Sequence, residues 1–220
     1  MLPTDPDIIF EDAHLLVLCK PAGLLAVPGR GADKQDCLSA RAQQRWPDAR
    51  VVHRLDMATS GLMLMARGEA MQRALGLAFE RHEVHKRYEA VVAGRPPAGG
   101  AGADGWHTID LPIAADWPNR PLRIIDTEAG KPSITRWREL AHDAAAPPGT
   151  TRLSLEPVTG RTHQLRVHMK AIGHPILGDM LYGDAASQQL APRLLLHACS
   201  LTLAHPAGGE PLAFSSAAPF

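Results

Sequence analysis

Short apolar runs, each closed by polar, proline or glycine residues, follow one another along the N-terminal part of the chain. Residues 8–10 and 15–19 have the length of two strands, with a turn at Glu11 and Asp12 between them. Residues 62–66 form another apolar run with the length of a buried strand. The pattern therefore predicts three strands in the first third of the chain.

Three segments are predicted to be helices. Residues 69–82 place apolar side chains at helical spacing, and residues 162–172 do the same, with Thr162 as the expected N-cap. A helix from about residue 37 to residue 45 is expected because Asp36 can cap its first turn. Helices are thus fewer than strands.

The remaining apolar runs are typical of strands. They lie at residues 86–92, 106–113, 133–138, 151–156, 193–197 and 201–203. In the first of them Tyr88, Ala90 and Val92 share one side, so Tyr88 is expected to point toward the core. Strands and helices do not alternate regularly, which favours an α+β fold with a central, mostly antiparallel mixed sheet flanked by helices and loops. No seam divides the chain, so residues 1–220 are expected to form a single domain.

The composition limits the possible partners. The 220 residues are 45% hydrophobic, and 23 basic and 23 acidic residues leave no net charge to indicate a nucleic-acid or membrane partner. Three cysteines without Cys-x-x-Cys spacing favour neither disulfides nor a thiolate metal site, which fits a reducing cytoplasm. No stretch approaches the roughly 20 apolar residues of a membrane span, and the N-terminus lacks a basic flank. A soluble, cytoplasmic protein is therefore expected.

The most informative stretch, residues 50–61, contains a single acid, Asp56. Val51 and Val52 lead into a predicted strand at residues 53–55, and residues 58–61 are predicted to form a turn. The carboxylate is then offered at the edge of the core. We take Asp56 as the candidate reactive centre, with an ordinary acid at the end of a strand as the alternative interpretation.

The histidine pairs favour structural or surface roles over a metal site. His82 and His85 have ligand spacing but no evident third ligand, so a solvent-exposed helix end is the better interpretation. His163 and His168 are five residues apart, on different faces of the predicted helix.

The glycine-rich loop around Arg30 lacks the ending of a phosphate-binding loop, although Arg30 can still contact a phosphate. No metal is expected.

Several motifs resemble those of the RluA family of pseudouridine synthases. In the family's order they are His-Arg-Leu-Asp at residues 53–56 with Ser-Gly at 60–61, Lys-x-Tyr at 86–88, and the segments 160–168 and 173–179. The resemblance runs from about residue 8 to residue 214. Motifs at 110–113, 116–121, 130–132 and 192–198 bring the chain close to the dual-specificity tRNA and rRNA type, which lacks an accessory N-terminal RNA-binding domain. The first predicted strand begins so near Met1 that no such domain is expected.

The resemblance implies the pseudouridine synthase catalytic fold and a cofactor-free isomerisation of uridine in RNA. The N-glycosidic bond breaks, the uracil turns, and a carbon–carbon bond to the ribose forms. In the family the residue matching Asp56 is the nucleophile, which attacks the sugar C1′ or the base or acts through an elimination. The residue matching Arg166 supplies a cation for this carboxylate, and the one matching Tyr88 packs on the base and assists removal of the C5 proton.

The resemblance also implies that the target uridine leaves its stack, at a cost of a few kcal/mol. The residue matching Arg54 holds the RNA with the base flipped; a surface salt bridge is the alternative. Because the chain has no net charge, a local basic strip is predicted to contact phosphates. The expected RNA contacts are His53, Arg54, Arg30, Arg87, Arg120 and Arg123. The implied substrates are the anticodon stem-loop of tRNA, a stem-loop of large-subunit rRNA, or both.

Two other functions are compatible with these residues. One is a non-catalytic RNA-binding or folding module on the same scaffold. The other is a glycoside or nucleoside hydrolase in which Asp56 acts with a second acid, although no partner acid stands out. The predicted function is pseudouridine formation in structured RNA by a monomer, with catalytic Asp56, Tyr88 and Arg166.

Overall fold

The chain folds into two compact units, as seen in a computed structural model that describes residues 5–97, 99–140 and 147–220. Unit 1 contains Met1–Lys86 and His197–Pro219, and unit 2 contains Arg87–Leu196 and Phe220. The single domain expected from the sequence stays a prediction.

Strands outnumber helices threefold in the described part of the chain. The strands are β1 (Asp7–Glu11), β2 (Leu15–Lys20), β3 (Ala49–Val51), β4 (Ser60–Arg67), β5 (His85–Ala93), β6 (His107–Asp110), β7 (Ile113–Ala115), β8 (Arg123–Ile125), β9 (Ile134–Glu139), β10 (Thr150–Pro157), β11 (Leu196–Ala204) and β12 (Pro211–Ser215). The helices are α1 (Leu38–Arg45), α2 (Gly68–Glu80), α3 (Gln164–Ala171) and α4 (Ala185–Gln189), with a 3₁₀ turn at Ala32–Lys34. None of these helices is long and apolar enough to cross a membrane.

Strand β4 lies at the centre of unit 1. Antiparallel β2 pairs along one edge of β4, and antiparallel β3 pairs with its last three residues. Strand β11 pairs with the start of β4 in parallel, with His197 opposite Ser60. Strand β1 pairs with β2, and β12 pairs with β11. The predicted α+β fold with a mostly antiparallel mixed sheet is confirmed.

The alternation of side chains along β2 builds two apolar layers in unit 1. Leu15 and Val17 pack with Leu75 of α2 on one face of the sheet. Leu16 and Leu18 pack with Leu38 of α1 on the other face. These four residues of β2 are fully buried, since each face of the sheet is covered by a helix.

Unit 2 is built on an antiparallel sheet in the order β5-β10-β9-β6. Helix α3 packs against β9 and β10, where His168 donates through Nε2 to the Leu111 carbonyl and accepts through Nδ1 from the Thr135 hydroxyl. Burial lowers the pKa of His168. Of the structural or surface roles expected for this histidine, these bonds fit the structural one.

The strand predicted at residues 106–113 is in fact two strands. Strand β6 ends at Asp110, and β7 begins at Ile113 and pairs with β8 in a separate hairpin. Pro112 lies between them and has no amide hydrogen to continue the ladder. The apolar pattern alone does not reveal this break.

Both predicted helix caps are wrong. Helix α1 is capped by Cys37, whose Sγ accepts from the Ala40 amide, because both carboxylate oxygens of Asp36 are held by Arg41 at 2.7 Å. The N-cap of α3 is His163, in a left-handed conformation, and not Thr162. Its entry turn is held instead by the Gln164 side chain, whose Oε1 accepts from the Arg161 amide. The capping preferences of Asp36 and Thr162 therefore did not determine the two helix starts, which depend on hydrogen bonds made by neighbouring side chains.

Candidate active site

The backbone leaves the sheet just before the candidate nucleophile. Strand β3 ends at Val51, so the strand predicted at residues 53–55 does not form. The Leu64 amide of β4, next to the last β3 pairing, donates instead to Nε2 of His53 at 2.9 Å. The Val51 carbonyl accepts from Nε2 of Gln72 at 3.0 Å. Side chains therefore satisfy groups that a longer strand would pair, and the backbone is released toward Asp56.

His53 is a neutral structural side chain in this setting. Its ring lies 4.9 Å from the Phe79 ring, and its Nε2 must be unprotonated to accept from Leu64. Burial, with the positive charge of Lys86 nearby, lowers the pKa of His53 to about 3. Burial also lowers the pKa of Lys86, which lies over Phe79. The RNA contact expected of His53 stays a prediction, and the bond to Leu64 is a role that the sequence did not reveal.

Acid should weaken the fold through His53. The unfolded chain takes up a proton at this residue below pH ~6.5, whereas the native state resists protonation down to a pKa of about 3. The free energy of unfolding should therefore fall as pH drops from 6.5 toward 3, by roughly 1–2 kcal/mol at pH 5 from this residue. Urea melts of His53→Gln should show a smaller loss than wild type over this range. His82→Gln, an exposed histidine of the same unit, is the control, and equal slopes for all three proteins would contradict the assignment.

Asp56 lies on a turn that is held by hydrogen bonds to backbone carbonyls. Its carbonyl accepts from the Thr59 amide at 3.1 Å, and the carbonyl of Met57 accepts from the Gly23 amide at 2.8 Å. Lys20, which is 0% exposed, donates to the same Met57 carbonyl at 3.1 Å. Asp56 is partly exposed and Arg54 is exposed. The turn is thus fixed by buried groups while these two side chains remain at the surface.

Lys20 is the main anchor of this turn that sequence reasoning missed. Its ammonium also donates to the carbonyls of Pro21 at 2.8 Å and Leu24 at 2.7 Å. A lysine directly after an apolar strand and before a proline was the available signal. The sequence could not show that one ammonium would collect three carbonyls from two separate loops.

Replacing Lys20 with methionine should lower both stability and turnover. The carbonyls of Pro21 and Leu24 would lose their ammonium donor, and the cost should be roughly 2–3 kcal/mol in the free energy of unfolding. The turnover number should fall because the Met57 carbonyl keeps only the Gly23 amide. Chemical denaturation and single-turnover kinetics measure the two effects. Lys34→Met, at an exposed lysine, should change neither, and wild-type turnover in Lys20→Met would remove the anchoring role.

The start of β4 is clamped on its other side by β11. The Ser60 hydroxyl bonds to Nδ1 of His197 at 2.9 Å, and Nε2 of His197 bonds to the Ser216 hydroxyl at 3.1 Å. Gly61 has a φ of +112°, and a Cβ there would lie 2.4 Å from the Ala198 carbonyl oxygen. Gly61 is therefore required by the close approach of the β11 backbone, and it lies in β4 and does not close the turn predicted at residues 58–61.

In unit 2, Arg166 is held by a buried carboxylate. Its Nε donates to one oxygen of Asp179 at 2.8 Å and its Nη2 donates to the other at 2.6 Å. Arg166 is 4% exposed and Asp179 is 0% exposed. Asp179 also accepts from the amides of Leu181 and Tyr182, so its own position is fixed. This two-point grip sets the plane of the guanidinium; the contact of Arg166 with Asp56 stays a prediction.

Tyr182 links three parts of unit 2 beside Arg166. Its hydroxyl accepts from the Arg123 amide at 2.9 Å and bonds to Nδ1 of His163 at 2.7 Å. Its ring centroid lies 5.1 Å from the Arg166 guanidinium.

Tyr88, which with Arg166 is a predicted catalytic residue of this unit, is 8% exposed on β5, opposite Leu155. Tyr88 is therefore buried, as the alternation of side chains along this strand predicted.

The remaining predicted RNA contacts lie at the surface. Arg30 is exposed in unit 1, and Arg87 and Arg120 are exposed in unit 2, while Arg123 is partly exposed. The Arg87 guanidinium lies over the Trp106 ring. Their role in RNA binding stays a prediction. Within the described ranges, no group of three or more histidine, cysteine, aspartate or glutamate residues is placed to hold a metal ion.

The chain is similar in sequence to proteins named as RNA pseudouridine synthases. Residues 14–171 match the family model described as RNA pseudouridylate synthase. The dual-specificity RNA pseudouridine synthase RluA of Escherichia coli strain K12 is 46% identical over 214 residues, which cover 97% of this chain and 93% of that protein. The protein of the same name from Vibrio parahaemolyticus is 47% identical over 210 residues, 93% of this chain and 80% of that protein.

A solved structure supports the same assignment. Human RNA pseudouridylate synthase domain containing 1 superposes with a TM-score of 0.78 at 29% identity, covering 100% of this chain and 87% of that one. These similarities confirm the resemblance drawn from the motifs, and they favour a catalytic role over a non-catalytic binding module. The chain belongs to the RNA pseudouridylate synthase family and is an RNA pseudouridine synthase.

Proposed function

We propose that Asp56 is the nucleophile of this enzyme, that Arg166 is its counter-ion and that Tyr88 packs against the flipped base. Support comes first from the presentation of Asp56, a partly exposed carboxylate on a turn that Lys20 holds by the neighbouring carbonyl. A nucleophile must be reachable by a ribose or base atom while its backbone stays fixed. Asp56 is also the only acid in residues 50–61.

The proposed reaction is balanced without any outside reagent. The bond from uracil N1 to the ribose C1′ breaks, and a bond from C5 to the same C1′ forms. The proton on C5 leaves and N1 gains one, so substrate and product are isomers. Asp56 supplies the covalent step, and the Tyr88 phenol is suited to assist the C5 proton transfer. Neither a metal nor a cofactor is required.

The guanidinium of Arg166 suits the role of counter-ion because its orientation is already set. Asp179 holds it through Nε and Nη2, which fixes the direction of the third nitrogen, Nη1. Arg166 stays charged at any pH the enzyme meets. A preorganised cation needs little rearrangement when charge develops on the reacting groups.

We further propose that the substrates are the tRNA anticodon stem-loop and a stem-loop of large-subunit rRNA. The name of the 46% identical Escherichia coli relative includes dual specificity, and this chain covers 93% of that relative. The target uridine is flipped from its stack, with Arg54 holding the RNA in that state. A cytoplasmic location, a monomer and one catalytic domain over residues 1–220 complete the proposal.

Tritium release tests the proposed reaction. Each stem-loop is transcribed with uridine tritiated at C5, and the wild-type enzyme should release tritium while the chain length of the RNA stays constant. Carbodiimide adducts should then map pseudouridine to one position in each RNA. Free uracil without pseudouridine would indicate a hydrolase instead, and release from only one stem-loop would overturn the dual specificity.

A further inference from the structure

Trp117 is the tryptophan that the fold leaves in solvent. It is 69% exposed, whereas Trp46, Trp106 and Trp137 are 4%, 7% and 5% exposed. The four tryptophans thus divide into three core residues and one surface residue. An exposed indole offers a flat face on which a ligand can stack, and its immediate surroundings decide what that ligand would be.

The loop that carries Trp117 joins β7 to β8 and is internally bonded. The Asp116 carboxylate accepts from the Asn119 side-chain amide at 3.1 and 3.0 Å and from the Asn119 backbone amide at 3.3 Å. The Asp116 amide donates to the Leu122 carbonyl, and the Leu122 amide donates back to the Asn119 carbonyl. Trp117 is therefore presented by a closed loop, which reduces the entropy lost when a ligand binds its ring.

One face of the Trp117 ring is already occupied. The Arg120 guanidinium lies 3.6 Å from the ring centroid, and Arg120 is itself exposed. Since the tryptophan is 69% exposed in spite of this contact, the opposite face of the indole is open to solvent. The result is a flat aromatic surface with a positive charge against its other face.

We propose that the open face of Trp117 stacks on an unpaired nucleobase of the RNA substrate, with Arg120 contacting an adjacent phosphate. A base offers a flat π-face of matching size, and a phosphate lies within one nucleotide of it, so RNA meets both requirements of this pair. In this proposal the stacked base is a nucleotide other than the uridine that reacts. The inference rests on the assignment of the chain as an RNA-modifying enzyme and adds a residue that selects single-stranded loops.

Trp117 also provides its own spectroscopic signal. Because the other three tryptophans are buried, collisional quenching by acrylamide should act mainly on Trp117 in the free protein. A stem-loop RNA should quench this emission and protect it from acrylamide. A fully paired duplex of the same stem should do neither. Asp56→Asn protein keeps the RNA unmodified during the titration, and Trp117→Phe should lose the fluorescence response.

Affinity and its salt dependence separate stacking from charge. Trp117→Leu should raise the Kd for the stem-loop roughly ten- to thirtyfold, whereas Trp117→Phe, which retains a ring, should stay within about threefold. The slope of log Kd against log salt should be unchanged in Trp117→Leu, because no phosphate contact is lost. In Arg120→Gln the slope should fall by about one.

The outcomes separate this inference from the proposed reaction. With Trp117→Leu, the turnover number at saturating RNA should match wild type while KM rises. A wild-type Kd in Trp117→Leu, or an equal loss for the duplex and the stem-loop, would overturn the stacking subsite whether or not pseudouridine forms. Sedimentation that shows a wild-type dimer lost in Trp117→Leu would assign the surface to self-association instead.

Discussion

Replacing Asp56 with asparagine should abolish pseudouridine formation while leaving the fold intact. The amide keeps the size of the carboxylate but lacks the charge and nucleophilicity that the covalent step needs. The turn should survive because the carbonyls of Asp56 and Met57, which accept from Thr59, Gly23 and Lys20, are unchanged by the substitution. We expect the single-turnover rate to fall by roughly 10⁴-fold or more, measured by tritium release from the stem-loop.

Three controls make the Asp56→Asn result specific. Asp33→Asn removes an exposed acid of the same unit and should leave the rate unchanged. The midpoint of thermal unfolding of Asp56→Asn should stay close to that of wild type. Its Kd for the stem-loop should also remain similar, because Arg54 and the other expected RNA contacts are unchanged. Product formation at the wild-type rate would falsify the assignment of Asp56 as nucleophile.

The second large effect should come from Asp179→Asn, which leaves the buried Arg166 without its carboxylate. Asparagine preserves the shape and its one oxygen can still accept from the Leu181 and Tyr182 amides, so the change removes the charge and the acceptor for Nε of Arg166. Removing one partner of a buried ion pair costs about 3–5 kcal/mol in the free energy of unfolding. For a chain of this size the midpoint of thermal unfolding should fall by roughly 10 °C, measured by calorimetry.

The exposed pair of Glu69 and Arg73 is the matched control for this prediction. Its charged atoms are 3.7 Å apart and both side chains are more than 70% exposed, so Glu69→Gln should change the stability by less than about 0.5 kcal/mol. The double variant Arg166→Met with Asp179→Leu should recover much of the stability lost in Asp179→Asn, because it removes both charges together. The double variant should nevertheless be inactive, because it lacks the proposed counter-ion of Asp56. A loss below about 1 kcal/mol in Asp179→Asn would show that Arg166 is stabilised by other groups.

The fold was predictable where regular patterns decide it. The continuous apolar runs of β2 and β4 correctly placed the core strands, since both faces of this sheet are covered. The order of the motifs was sufficient for the fold and the enzyme class. Segment ends were less predictable, because Asp36 could bind Arg41 as well as the helix, and the choice depends on three-dimensional geometry.

The supports of the candidate site could not be predicted for a related reason. Lys20 and Asp179 look like ordinary surface residues in the sequence, yet both are 0% exposed and hold groups from other segments. His197 bonds to Ser60 across 137 positions of sequence. Buried polar residues are defined by partners that only the folded chain brings to them, so their roles become visible in the structure alone.

The bond from the Leu64 amide to His53 also bears on the resistance of the protein to aggregation. Where β3 ends, β4 would otherwise present an open backbone amide beside a run of buried apolar side chains. Such an edge can pair with a strand from another molecule. The imidazole of His53 accepts the hydrogen bond of that amide, so the amide is not available to the backbone of an incoming strand. The backbone can thus depart from the sheet to carry Asp56 without leaving a template for intermolecular β-pairing.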